Sequence, residues 1–400
     1  MKTLKKNIST SLFLTTLVMC SMLSVGSAFG SQIYAELEAA ETLNTGETVM
    51  VHFTLVNMSN QDIQILKWNT PLEGIKGEIF SVERDGEMID YQGIIMKRGL
   101  PLPEDYILIQ AGGKVSAEVN IAEAYDFSSA GVYTIHYLSP KVTHIIPHGE
   151  AQARSFKELQ PLEISSDEVS VRINNSIERT LPIGNVDDGA QMKQTNYVNC
   201  DAGEESIVSY ADLTAALKAA LVRSYFANLS VFARQTNKLY KTWFGAYTSS
   251  RYAEVLDNFE EIEDVFYNQT ITYQCGGPSC TNSAYAYIYK SDGMNKVYLC
   301  PAFWTAPSTG YDTQWGTLIH ELSHEVADTK DHVYGTTSCR NLAINDPDKA
   351  VENADSHEYA SENYKVGAPK LVFVALILCM VLFSEGVRRF KTLPPRFPSG

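Results

Sequence analysis

Apolar and polar residues alternate along much of the first 175 positions of the chain. Residues 49–55, 115–121 and 169–173 each carry an apolar side chain at nearly every second position. Successive side chains of a β-strand point to opposite faces, so this period of two is typical of strands with one buried face. Turn-forming residues, such as those at 57–60, separate the runs. The pattern predicts an immunoglobulin-like β-sandwich in this half.

The pattern changes after residue 174. Residues 174–195 are rich in Asn, Asp, Gly and Gln and show no clear period, which predicts a linker and a natural cleavage zone. Apolar residues at helical spacing then predict one helix over 212–240 and another over 252–266. The apolar positions of the first are Leu213, Leu217, Leu221, Tyr225, Leu229 and Phe232. Short strand-like runs follow at 271–273, 284–289 and 296–299, so the second half is predicted to be α+β with helices dominating.

Two histidines four residues apart stand in the segment His320-Glu321-Leu322-Ser323-His324. On a helix both imidazoles lie on one face and can bind one metal ion, and Glu321 is placed to handle the proton of a water molecule there. Asp312 or Thr313 can cap such a helix. The spacing predicts a zinc peptidase site, and the alternative is a solvated amphipathic helix with two histidines on one side.

A catalytic zinc site needs a third protein ligand beside the two histidines. A metzincin would place a histidine six residues after the second one, and Lys330 stands there instead. A thermolysin-like enzyme would use a glutamate from a following helix, for which Glu352 is the nearest candidate. Asp331 is the remaining candidate. From residue types and spacing alone, Glu352 and Asp331 both stay open.

The segment Thr329-x-Asp331-x-x-Tyr334-Gly335 resembles the Gly-Thr-x-Asp-x-x-Tyr-Gly signature of the deuterolysin, or aspzincin, peptidases. Asp328 replaces the first glycine, and Asp accepts a positive φ less readily than Gly does. The resemblance implies that Asp331 completes the zinc site with His320 and His324. It also implies that Tyr334 donates a hydrogen bond to the developing oxyanion.

Residues 345–359 resemble the C-terminal helix of the peptidyl-Lys metalloendopeptidases within this family. Asp355 and Glu358 are three residues apart, so their carboxylates can converge on one side of a helix. The resemblance implies that they form an acidic pocket for the lysine on the C-terminal side of the cut. The alternative is a solvated acidic face in a chain of net charge −15. His357, between them, is predicted to be a helix-surface residue.

The resemblance also bears on the cysteines. Cysteine spacing alone leaves the connectivity undetermined, but the intervals match those of the two disulfides in fungal relatives. This implies the pairs Cys200–Cys275 and Cys280–Cys300. Cys339 is then left over and is predicted to be a buried thiol in the helix after Gly335.

Both ends of the chain carry apolar segments. Lys2, Lys5 and Lys6 precede a largely apolar stretch and small residues near position 28, which predicts a removed signal peptide and secretion. Residues 371–383 form an apolar run that is shorter than the roughly 20 residues of a membrane-spanning helix. Basic residues follow it. We interpret this tail as a segment that contacts a membrane.

The predicted organisation is a precursor. Residues 66–74 resemble the propeptides of aspzincins, which implies a folding aid and intramolecular inhibitor, whereas the alternative is a permanent binding or spacer domain. The predicted segments are a signal peptide (1–30), a β-sandwich propeptide (31–175), a linker and processing region (176–195), an aspzincin metallopeptidase domain with a mainly helical α+β zincin fold (196–365) and an apolar and basic tail (366–400).

The expected function is that of a secreted zinc metalloendopeptidase that holds one catalytic Zn²⁺ and cuts protein substrates on the N-terminal side of lysine. Its 47 acidic residues outnumber 32 basic ones, which argues against nucleic acid as a partner. Two alternatives remain from the sequence. One is a thermolysin-like zinc peptidase that uses Glu352, and the other is a secreted binding protein with a structural zinc.

Overall fold

The structure is a computed structural model that describes residues 32–142, 144–149, 153, 155–159, 162–174, 195–290 and 295–365. The predicted signal peptide, the tail at 366–400 and nearly all of the predicted linker lie outside the described residues. Within the described part of the chain, no helix is long and apolar enough to cross a membrane.

The N-terminal half is rich in β-sheet. Its strands are β1 (Ile33–Ala39), β2 (Thr42–Asn44), β3 (Met50–Asn57), β4 (Ile63–Leu66), β5 (Phe80–Arg84), β6 (Glu87–Met88), β7 (Ile94–Arg98), β8 (Tyr106–Ile109), β9 (Lys114–Asn120), β10 (Gly131–Val142), β11 (Ile145–Pro147), β12 (Leu162–Ser165) and β13 (Val169–Asn174). Short 3-10 turns lie at Pro103–Asp105, Ile121–Glu123 and Phe156–Glu158.

These strands form sheets in the orders β1-β3-β9, β2-β13-β10-β5-β6 and β11-β4-β8, with β12 also paired to β10. The predicted alternating runs lie mainly in β3, β9 and β13. The inward side chains of β3, among them Phe53, pack with Val82 of β5 and Tyr133 of β10 in one apolar core. Period-two burial therefore builds this half, as the sequence pattern predicts.

The C-terminal half is mainly helical. Its strands are β14 (Thr195–Val198), β15 (Ile271–Cys275), β16 (Ala284–Tyr289) and β17 (Lys296–Leu299). Its helices are α1 (Ala202–Ala227), α2 (Val231–Thr236), α3 (Lys238–Trp243), α4 (Ser249–Asn268), α5 (Pro301–Thr305), α6 (Gln314–Val326), α7 (Thr336–Asn345), α8 (Pro347–Val351) and α9 (Ala354–Asn363).

One strand of the N-terminal half joins the sheet of the C-terminal half. The sheet order is β14-β15-β17-β16-β7, so β7 forms its outer strand beside β16. Strands β14, β15 and β17 run parallel, whereas β16 is antiparallel to both β17 and β7. The two halves therefore share a continuous hydrogen-bonded sheet.

The first long helix differs from its sequence prediction. Instead of spanning 212–240, it begins at Ala202, where Asp201 caps it, and ends at Ala227. None of the predicted leucines is among its buried residues, which are Val208, Ala211, Asp212, Ala215, Ala216, Ala219, Val222 and Phe226. The alanine face of α1 packs against α4 and α6. Small side chains allow this close approach, so the alanine face is buried instead of the predicted leucine face. Ser230 and Asn237 cap two further short helices and so divide the rest of the predicted segment.

Both implied disulfides are present. Cys200 bonds to Cys275 and so ties the start of α1 to β15, and Cys280 bonds to Cys300 at the end of β17. Cys339 is a buried free thiol in α7.

Candidate active site

Helix α6 carries the two histidines and the glutamate of the His-Glu-x-x-His motif. Thr313 caps it, because its hydroxyl accepts a hydrogen bond from the Gly316 amide at 2.9 Å. His320, Glu321 and His324 are all fully buried. The Nε2 atoms of the two histidines lie 3.2 Å apart, so the helix presents both imidazoles to one point, as predicted.

Asp331 is the carboxylate that lies against this pair. Its Oδ1 is 3.1 Å from His320 Nε2 and 3.4 Å from His324 Nε2. The other candidate, Glu352, is instead 3.2 Å from His332 Nε2, and 45% of its side chain is exposed. Of the two candidates, the structure brings Asp331 and not Glu352 to the histidines.

The donor set suits zinc. Bonds of about 2.0–2.2 Å in a tetrahedral site place neighbouring ligand atoms about 3.3–3.5 Å apart, close to the three separations seen here. The outer nitrogens of both histidines also face acceptor oxygens, since His320 Nδ1 lies 2.8 Å from Asp355 Oδ1 and His324 Nδ1 lies 2.7 Å from the Thr329 carbonyl oxygen. Such partners fix the ring orientation and keep Nε2 available for a metal ion.

Glu321 sits beside this triad with one oxygen engaged and one not. Its Oε1 accepts a hydrogen bond from the backbone amide of Lys97 at 3.1 Å. Its Oε2 is buried and has no hydrogen-bond partner among the described residues. Burial raises the pKa of Glu321 to about 8. This side chain can therefore exchange a proton within the site.

The loop between α6 and α7 keeps the expected backbone despite Asp328. Asp328 has φ 49°, the left-handed conformation that the glycine of the family signature would adopt easily. Its carboxylate pairs with Lys290 on the protein surface. The loop then places the Tyr334 hydroxyl 2.8 Å from Asp331 Oδ2 and 2.9 Å from the Met96 carbonyl oxygen.

The acidic pair on α9 is a buried pocket and not a solvated face. The ammonium of Lys97 lies 3.1 Å from Asp355 Oδ1 and 2.6 Å from Glu358 Oε2. A third carboxylate, Asp312 Oδ1, is 3.4 Å from the same nitrogen. Burial alone would lower the pKa of Lys97, but the three carboxylates raise it well above its ordinary value. Lys97 is therefore held as a cation.

Asp355 serves two neighbours at once. Burial alone would raise its pKa, but the charges of Lys97 and His320 hold it below its ordinary value. Its second oxygen accepts a hydrogen bond from the Gly335 amide at 2.8 Å. The acidic pocket around Lys97 and the histidine pair are therefore joined through the carboxylate of Asp355.

Sequence reasoning missed three residues of this site. Asp312 was considered only as a helix cap, and Met96 and Lys97 were not considered at all. A signal for Lys97 was present, because a lysine directly follows the short apolar run 94–96 in a region expected to inhibit a lysine-specific enzyme. The prediction for His357 was wrong. This residue is fully buried, with its Nδ1 3.1 Å from the Asn353 carbonyl oxygen.

The chain is similar in sequence to known peptidases over most of its length. A family described as lysine-specific metallo-endopeptidase, of the aspzincin type, matches residues 231–362. An extracellular protease of Aeromonas hydrophila is 37% identical over 335 residues, which is 82% of this chain and 92% of that protein. The peptidyl-Lys metalloendopeptidase of Grifola frondosa is 30% identical over 374 residues, or 88% of this chain and 99% of that protein. The match to a solved zinc peptidase from Grifola frondosa spans 41% of this chain and 97% of that chain, with 40% sequence identity and a TM-score of 0.37.

Proposed function

The chain belongs to the aspzincin family of zinc metalloendopeptidases, and from that premise we propose that its C-terminal half cuts peptide bonds on the N-terminal side of lysine. The observation that supports this specificity is the position of Lys97. Its ammonium occupies the acidic pocket while its backbone amide contacts Glu321. A substrate lysine in the same pocket would place its own amide nitrogen beside the proposed proton carrier.

The pocket favours lysine over arginine by its arrangement of acceptors. An ammonium carries three N–H donors on a compact charge, whereas a guanidinium presents a planar fork. Asp312, Asp355 and Glu358 supply one near oxygen each, from three separate side chains. Three single acceptors match three donors of an ammonium better than they match a bidentate fork.

The proposed metal ligands are His320, His324 and Asp331. A zinc ion held there would supply a Lewis acid for the scissile carbonyl and would lower the pKa of water. Glu321 would take the proton of the attacking water through Oε2 and deliver a proton to the leaving amine at the position where Oε1 now meets an amide. Tyr334 would donate to the carbonyl oxygen, where it now contacts Met96.

The proposal extends to the precursor. Residues 1–30 would direct secretion, residues 31–175 would be an immunoglobulin-like propeptide, and cleavage within 176–195 would free the enzyme at 196–365. The placement of β7 supports inhibition, because a substrate cannot enter while Lys97 fills the pocket. The relative named extracellular protease is consistent with export.

A digest tests the specificity directly. The processed enzyme is incubated with a denatured protein of known sequence, and the new N-termini are read by mass spectrometry. Lysine is expected at most new N-termini, and a Glu321→Gln enzyme prepared in parallel controls for contaminating proteases. New termini dominated by apolar residues would show that the acidic pocket does not select the substrate.

A further inference from the structure

Strand β7 crosses the candidate active site as an extended peptide. It pairs antiparallel with β16, with Met96 opposite Tyr287 and Lys97 opposite Ala286. Addition of a strand to a sheet edge is a common way for a protein to hold a peptide, because the backbone provides affinity and alternate side chains provide selectivity. The N-terminal half thus presents a segment of itself in the manner of a bound substrate.

Two contacts hold the Met96–Lys97 peptide bond of this strand, and a third holds the Lys97 side chain. The carbonyl oxygen of Met96 accepts from the Tyr334 hydroxyl at 2.9 Å, and the amide of Lys97 donates to Glu321 Oε1 at 3.1 Å. The Lys97 side chain fills the acidic pocket. In the proposed function these are the contacts of the scissile carbonyl, the leaving amine and the selected lysine. The Met96–Lys97 bond therefore occupies the place of the bond to be cut.

The register of the strand is fixed from both sides. Toward the N-terminus, the Tyr91 hydroxyl donates to the Ile94 carbonyl at 2.6 Å. Toward the C-terminus, the Arg98 guanidinium pairs with Glu73 at 2.5 Å and lies over the Trp68 ring at 4.9 Å. A shift of one residue would turn Lys97 out of the pocket, since neighbouring side chains point to opposite faces.

From this geometry, and resting on the proposed function, we propose that the zinc-loaded precursor hydrolyses its own Met96–Lys97 bond. Water adds across the bond. Its oxygen joins the Met96 carbonyl carbon, the bond from that carbon to the Lys97 nitrogen breaks, and a proton passes through Glu321 to that nitrogen. The products are a carboxylate at Met96 and an ammonium at Lys97, since both protons of the water end on that nitrogen.

The two new ends remain held after the cut. Contacts of Tyr91 and the pairing of β7 with β16 retain the upstream segment, and Glu73 and Trp68 retain Arg98 downstream. Both segments also belong to the sheets of the N-terminal half. The cleaved half therefore stays on the enzyme, and its release requires a separate event, such as the linker cleavage proposed above.

Intact-mass spectrometry of the full precursor tests this. The precursor is purified with a chelator, zinc is added, and samples are denatured at intervals. We expect two fragments, one ending at Met96 and one beginning at Lys97. The fraction of precursor cut per unit time should not depend on precursor concentration, because the strand belongs to the same molecule. Native electrophoresis of the same samples should show the fragments still associated.

Variants make the test specific. Glu321→Gln should leave the bond intact, and Lys97→Met should slow its cleavage by at least about 100-fold, since it removes hydrogen bonds to charged groups. Lys114→Met, on the exposed face of β9, is the matched control and should cut at the wild-type rate. Circular dichroism of each metal-free variant checks that it is folded.

Two results would overturn the inference. In the first, the Met96–Lys97 bond stays whole in the zinc-loaded precursor while the processed enzyme cuts other proteins at lysine, so that the proposed function stands and β7 is only an inhibitor. In the second, the fraction of precursor cut per unit time rises with precursor concentration, which would mean that another molecule cuts the bond. If no substrate of any kind is cut at lysine, the proposed function fails as well.

Discussion

The two halves of the molecule bury different kinds of side chain. The N-terminal half is held by an apolar core of alternating strand residues, such as Phe53 and Val82. The C-terminal half also has an apolar core, but it buries several ionisable groups completely, among them His320, Glu321 and Glu358. Burial of a charge is costly unless a partner compensates it. The sheet-rich half is thus built for stability, whereas the helical half holds an arrangement that needs a counter-charge.

The exceptions in the N-terminal half explain how the two halves fit. Lys97 and Arg98 are buried cationic residues of that half, and they lie on the strand that leaves it for the other sheet. Lys97 supplies a cation to the buried carboxylates Asp355 and Glu358 of the helical half. In the proposed function, removal of the N-terminal half would leave this acidic pocket open to the lysine of a substrate. The variants below separate the contributions of the two halves, from the largest effect to the smallest.

The largest effect is expected from Asp331→Ala in the processed enzyme. Loss of a proposed ligand should weaken zinc binding by more than about 100-fold, because even changes to the partners of ligands cost about 10–100-fold. Zinc content after dialysis and peptide hydrolysis measure this. Glu352→Ala is the control and should keep both. The reverse pattern would assign the third ligand to Glu352.

Phe53→Ala tests whether the N-terminal half owes its stability to its own core. The cavity should cost about 3–5 kcal/mol of the free energy of unfolding of that half. Amide hydrogen exchange in a Glu321→Gln precursor resolves the two halves, and α6 should keep its protection. Met50→Ala, an exposed position of the same strand, should cost less than about 0.5 kcal/mol. Equal loss of protection in α6 would mean that the two cores act as one.

Glu358→Gln tests the charge of the pocket without change of size. In the processed enzyme it should lower kcat/KM for a lysine peptide by about 10–150-fold, the value of about 1.5–3 kcal/mol for a hydrogen bond to a charged group. A matched peptide with norleucine in place of lysine serves as the control and should lose much less. An equal loss on both peptides would place Glu358 in metal positioning rather than in selectivity.

The smallest effect concerns a helix end in the C-terminal half. Asp201 accepts hydrogen bonds from the amides of Gly203 and Glu204 at 2.7 and 2.9 Å. Asp201→Ala should cost about 1 kcal/mol and lower the Tm of the processed enzyme by roughly 2–4 °C. Asp257→Ala, at an exposed interior position of α4, should not lower Tm, because alanine is the better helix former there. A similar drop in both variants would show that the cap itself contributes nothing.

The sequence predicted what depends on short spacing. A separation of four residues from His320 to His324 is enough to predict one helix face, and a separation of three from Asp355 to Glu358 is enough to predict converging carboxylates. Alternation likewise predicted strands β3 and β13. In each case the number of residues separating two side chains determines whether they lie on the same face, because the helix or strand has a fixed period.

Contacts between distant segments were not predictable in this way. Lys97 and Asp355 are 258 residues apart, and no local period relates them. The prediction of the bounds and buried face of helix α1 was wrong for a related reason. Its leucines form a plausible stripe, but close packing against α4 and α6 selected the alanine face, and that choice depends on neighbours that local pattern does not reveal.

The place of β7 at the end of the sheet also bears on solubility. Its partner β16 reads Ala-Tyr-Ala-Tyr-Ile-Tyr, six residues without charge, proline or glycine. If the N-terminal half is removed as proposed, this strand would be left with an unpaired row of amides and carbonyls. Such segments pair readily with copies of themselves and start aggregation. While β7 stays paired with β16, the strand proposed to exclude substrates would also prevent neighbouring molecules from joining the sheet.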